Sequence, residues 1–264
     1  MIGACSRLND VTLGPTLKEL VNEPAARDSL LRLTDSHGYC VSRGGLGPGS
    51  VARLRREIAD VIEGTSSGWR PLDRGAPDFY WVNNNDTRST IKAAFLQVNF
   101  FPWNPCGARV IRVLADVFAV RNMLLGRPPD EYLSVDAGSR FTVRAAAQFY
   151  PSGTGWMEEH RDPKGEHQTV LATIVMSRIG VDYREGGVYI RDGQNDRLFP
   201  EAETLPGDIV WFNPSVLHGV APVDPGTSTQ SDPFSQRWGR WMILCATNGL
   251  ASSPHPPRAE SARY

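Results

Sequence analysis

The chain has 264 residues, enough to bury a full core around one β domain with helical support. Lys and Arg number 28 against 29 Asp and Glu, so no basic face invites nucleic acid, and no run approaches the roughly eighteen apolar residues of a membrane span. Cys5, Cys40, Cys106 and Cys245 form no CxxC pair and the N-terminus carries no apolar signal stretch, so free thiols in the cytoplasm are expected.

In chain order, apolar spacing predicts helices over Thr16 to Leu33, Ser50 to Ile62 and Arg109 to Leu125. In the second, Val51, Leu54, Ile58 and Val61 or Ile62 fall on one stripe, with Ser50 as the expected N-cap. Gly64 to Asn104 shows no firm period before Ile91. Its stretch Phe79 to Asn104 holds more large side chains than a disposable loop exposes, which suggests a roof closing over a site. From Phe141 onward the pattern turns to strands, including Thr169 to Met176 and Gly186 to Ile190. The tail Ala251 to Tyr264 is rich in Pro and Ser and reads as frayed. The expectation is one domain over 1–264: helical support and roof in 1–140, β core in 141–250, flexible tail in 251–264.

Within the β core lies His160-Arg161-Asp162, and fifty-eight positions later His218, preceded by Pro206-Gly207-Asp208 and the short apolar run Ile209 to Phe212. Side chains alternate across a strand, so His160 and Asp162 can address one metal while Arg161 points away. Pro163 biases Asp162 toward extended backbone. Pro206-Gly207 reads as a tight turn that starts the strand leading back toward the first pair. Two imidazoles and one carboxylate hold non-haem Fe(II) with three positions left open. The alternative is that His218 is only a hydrogen-bonded core histidine.

With those residues in view, Phe141 to Asn248 resembles the core of the Fe(II)/2-oxoglutarate-dependent dioxygenases, and Gly38-Tyr39-Cys40-Val41 is similar to the start of their phytanoyl-CoA-hydroxylase-like branch. The resemblance implies a double-stranded β-helix, a jelly-roll of cupin-like form. It implies Fe(II) on His160, Asp162 and His218, with 2-oxoglutarate as co-substrate and O2 as oxidant. It also implies a basic residue on the last core strand that anchors the co-substrate. Arg240, which opens the apolar run Trp241 to Thr247, is the first choice and Arg237 the second. The spacing from His218 to Arg240 is longer than usual, which an inserted loop over Pro225 to Ser235 accounts for, and Met242 stands where the family often has Ser or Thr. Physically, the distal carboxylate of 2-oxoglutarate buried in a barrel needs a bidentate guanidinium. Replacing Arg240 is therefore expected to disturb co-substrate binding more than folding.

Gln148 and Tyr150 share a strand face leading toward His160 and are further candidates for holding 2-oxoglutarate; a core tyrosine with a satisfied hydroxyl is the alternative. Arg88 and Lys92, in the expected roof, are candidates to pair an anionic group of the substrate, and Trp156 to flank it. Since Asp162 is a carboxylate where related halogenases have a small residue, hydroxylation, desaturation or cyclisation is expected over halogenation. The substrate is expected to be a small molecule such as an amino acid or secondary metabolite. Rival readings are a cupin-like isomerase or non-catalytic binding protein, from which His160-Arg161-Asp162 departs because cupins present His-x-His, and a zinc hydrolase, which has no use for the arginine.

Overall fold

The computed structural model describes residues 11–134, 139–165, 167–227, 234 and 238–250, and the backbone of 260–261. The first predicted helix is two. Thr16 and Glu19 cap α1 (Leu17–Asn22) reciprocally, and Pro24, which cannot donate within a helix, instead occupies the first turn of α2 (Pro24–His37). Gly38, at φ 80°, ends α2 and turns the chain into β1 (Tyr39–Ser42). Helix α3 (Pro48–Gly64) follows the predicted stripe but starts at Pro48 with Gly47 as its cap, not at Ser50. The third predicted helix begins earlier and breaks at Leu114, giving α4 (Pro105–Val113) and α5 (Ala115–Leu124). Among the described residues no helix is long and apolar enough to cross a membrane.

Where a roof was expected, the chain forms β2 (Phe79–Asn84) and β3 (Ala93–Phe100), paired antiparallel from Phe79 opposite Asn99 to Asn84 opposite Ala94. Every residue of β3 is buried, which explains the density of large side chains: they belong to a barrel wall. The remaining strands are β4 (Phe141–Pro151), β5 (Trp156–Arg161), β6 (Leu171–Val175), β7 (Gly187–Arg191), β8 (Arg197–Leu198), β9 (Ile209–Phe212), β10 (His218–Ala221), β11 (Gly239–Gly249) and β12 (Glu260–Ser261).

All strand pairings are antiparallel, in the order β1-β9-β6-β11-β4-β3-β5-β10-β7-β8, with β2 beside β3 and β12 beside β5. This is the double-stranded β-helix. The long wall packs one face against the helices: Leu96, Val98, Ala145, Ala147, Phe149, Ile243 and Cys245 join Leu54, Val110, Val117 and Phe118 in one core. Alternation then sends Gln97, Asn99, Arg144, Gln148, Tyr150, Arg240, Met242 and Leu244 to the opposite, interior face. Alternation within single strands thus separates an apolar outer face from a polar interior.

Candidate metal centre

Strand β5 carries His160 near its end, and Asp162 follows directly, its amide donating to the Pro214 carbonyl at 2.9 Å. His218 opens β10 directly opposite His160. The imidazole centroids lie 4.3 Å apart, and Phe212 meets His218 edge-on at 5.0 Å. His160 Nε2 is 3.9 Å from Asp162 Oδ1 and His218 Nε2 is 3.3 Å from Oδ2; one donor atom from each residue falls within 4.8 Å of the others.

The other ring nitrogens fix the tautomers. His160 Nδ1 lies 2.9 Å from the Glu158 carbonyl and His218 Nδ1 3.0 Å from the Val216 carbonyl, so each Nδ1–H donates and each Nε2 lone pair faces the centre. Burial, and then the second imidazole, hold His160 below its ordinary pKa, in the neutral form that ligates. Burial alone would raise the Asp162 pKa, but the adjacent His218 and then His160 outweigh it and hold the carboxyl below its ordinary value. Two neutral imidazoles and a carboxylate fit Fe(II) or a similar divalent ion.

The cavity beside the triad measures about 170 Å³. Gln148, Tyr150 and Arg240 line it together with His160, Asp162 and His218, so the structure brings these six sequence candidates into one place. Arg240 is fully buried, and its Nε and Nη2 donate to Glu201 at 2.5 and 2.6 Å. Its Nη1 is buried without a partner, and the guanidinium lies 5.1 Å from the Tyr150 ring. Burial would discharge this guanidinium, but the Glu201 carboxylate overrides that and raises its pKa. The Tyr150 hydroxyl donates to Gln148 Oε1 at 2.7 Å. An unpartnered charged donor on the cavity wall fits a carboxylate of 2-oxoglutarate.

Sequence reasoning missed Glu201. It sits in the polar segment between β8 and β9, where nothing local distinguishes it from a solvated glutamate, yet only 4% of its surface is exposed.

Three candidates fall outside the cavity wall. Arg88 is exposed, grips Asp86 with two nitrogens and lies over Trp69 at 5.4 Å. Lys92 is exposed at the start of β3, where its backbone rather than its ammonium engages Glu158. Trp156 is half-buried on β5, while its neighbour Met157 reaches the cavity. These positions correct the expectation of a cationic roof. Of the expected roof segment, most residues form β2 and β3, while Ile91, between them, lines the metal cavity; Arg88, nearer the hairpin tip, holds its own ion pair with Asp86. Arg237 lies outside the described residues.

No protein-family model matches the sequence, and no curated protein does. Among solved structures, the chain is similar to a prolyl hydroxylase from Trichoplax adhaerens in complex with a hypoxia inducible factor oxygen degradation domain peptide fragment: TM-score 0.56, 13% identity, covering 88% of this chain and 91% of that one. It is also similar to a Pseudomonas putida prolyl-4-hydroxylase, with TM-score 0.52, 14% identity and coverage of 84% and 97%. The chain therefore shares the double-stranded β-helix of prolyl hydroxylases over nearly its whole length.

Proposed function

We propose that this protein is a non-haem Fe(II)- and 2-oxoglutarate-dependent oxygenase that hydroxylates, desaturates or cyclises at a C–H bond of a small molecule in the cytoplasm. The observation that carries this reading is the triad with both Nε2 atoms turned inward, sharing its cavity with the unpartnered Nη1 of Arg240. When bound, iron and 2-oxoglutarate would supply the oxidising chemistry: O2 is consumed, 2-oxoglutarate leaves as succinate and CO2, and a substrate C–H becomes C–OH.

His160, Asp162 and His218 would hold the metal on one face, leaving the other open. Arg240 would orient the co-substrate through Nη1, with Gln148 and Tyr150 beside it. The apolar rings of Phe212 and Tyr150 limit water around the centre. The Gly38-Tyr39-Cys40-Val41 segment, which runs from the end of α2 into β1, supports placement in the phytanoyl-CoA-hydroxylase-like branch.

One observation favours a second reading. Glu201 already occupies two nitrogens of Arg240, as a cupin-like metal protein with no need of 2-oxoglutarate would allow. Anaerobic addition of Fe(II) and then 2-oxoglutarate separates them. The oxygenase reading expects a weak visible charge-transfer band that needs both components and is lost in His218→Ala; iron binding without that band would support the second.

A further inference from the structure

The interior face of the long wall carries a row of polar side chains that runs away from the metal cavity. Tyr150 donates to Gln148, Gln148 Nε2 to Gln97 Oε1 at 2.9 Å, and Gln97 Nε2 to Asn99 Oδ1 at 2.9 Å. Arg144 closes the row, giving Nη1 to Asn99 Oδ1 at 2.7 Å and Nε to Asn248 Oδ1 at 2.9 Å. Every amide oxygen in this row is taken. What remains are donors: among the described residues, Arg144 Nη2, on a half-buried side chain, has no protein partner, and Asn99 Nδ2 is buried without one.

Among the described residues no carboxylate lies within ion-pair distance of Arg144, in contrast to Arg240, Arg109 and Arg191, which all have one. Burial without a counter-charge depresses the Arg144 pKa to about 10. Opposite Ala246 on β11, it is the diagonal neighbour of Leu244, which lines the metal cavity. Four residues separate it from Gln148, about 13 Å of strand.

We propose that Arg144 and Asn99 form a carboxylate-binding subsite inside the barrel, which holds the acidic end of the substrate while its apolar body runs past Leu244 toward the metal. The substrate class is then a small carboxylic acid whose oxidised carbon lies on the order of 10 Å from its carboxylate. The assignment of this acid as the substrate rests on the oxygenase reading; the subsite itself does not.

The test uses metal-free protein, 4-bromobenzoate as probe and 4-bromobenzamide as neutral control. Saturable binding of the acid is expected, weakened at least about tenfold in Arg144→Met, as loss of one charged hydrogen bond requires, and partly regained in Arg144→Lys, with the amide unaffected throughout. In crystals soaked with the acid, anomalous bromine density should lie inside the barrel with the carboxylate on Arg144 and Asn99, a result that needs no variant. Equal affinity in Arg144→Met, or bromine located elsewhere with the carboxylate on Arg240, would overturn the subsite. Neither readout involves iron or O2. Probe binding without the charge-transfer band would refute the oxygenase while keeping the subsite, and the band without probe binding would do the reverse.

Discussion

Removing Arg240 should damage folding as well as co-substrate binding, contrary to what the sequence alone suggests, because the structure places Glu201 against it. Arg240→Met leaves the Glu201 carboxylate buried, with only the Tyr183 hydroxyl at 3.4 Å. Breaking a buried pair from one side costs about 3–5 kcal/mol, which for a domain of this size lowers Tm by roughly 10 °C. Glu201→Met should cost a similar amount, since it strands the guanidinium. The double variant Glu201→Met/Arg240→Met removes both charges, and its cost should fall to about 1 kcal/mol or less, since apolar replacement of a buried pair is often neutral. Thermal and urea unfolding followed by circular dichroism measure the cycle. If the double variant lost as much as the two singles added together, the pair would not be energetically coupled and the geometry would mislead. The same double variant isolates the co-substrate question: folded but lacking Nη1, it should need roughly 10–150 times more 2-oxoglutarate to reach the same chelate absorbance.

Other expectations are more direct. His160→Ala or His218→Ala should lower Fe(II) affinity by at least ~10–100-fold, the loss typical of even an outer-sphere partner, as read by iron content after dialysis. In the metal-free protein His160 is held below its ordinary value of 6.5, so the unfolded chain takes up the proton first. Stability should therefore be intact above about pH 6.5 and decline as pH falls below it, and His160→Asn should flatten that decline in urea midpoints measured against pH. Gly207 adopts φ 101°, and a Cβ there would lie 2.2 Å from the Leu46 carbonyl oxygen; Gly207→Ala should destabilise by about 1–3 kcal/mol or more in urea unfolding. Burial pushes the thiols of Cys40, Cys106 and Cys245 up to about 12, so near neutral pH iodoacetamide should label none of these three until the protein unfolds, as intact mass reports.

The candidate triad was legible because strand alternation and a proline are local: His160, Arg161, Asp162 and Pro163 specify two side chains on one face in four residues, and the turn at Pro206-Gly207 starts the strand that leads to His218, which the structure brings within 4.8 Å of them. The helical stripe of α3 was legible for the same reason, with Val51, Leu54, Ile58 and Val61 all buried. Element ends were less so: Pro24 splits one predicted helix, and Leu114 interrupts another. Before Ile91 no firm period shows because β2 mixes aromatic and amide residues on both faces, and in β3 Ala93 to Phe95 are apolar on either side, so that only Leu96 to Phe100 alternates, apolar toward the helices and polar toward the interior. Ion pairing lay furthest from reach. Glu201 and Arg240 are thirty-nine residues apart, and Arg144 reaches Asn99 and Asn248 across forty-five and one hundred and four. Which cations are neutralised and which are left free is decided when the barrel closes, since a charge partner across the sheet follows from register and leaves no mark on the residues beside it.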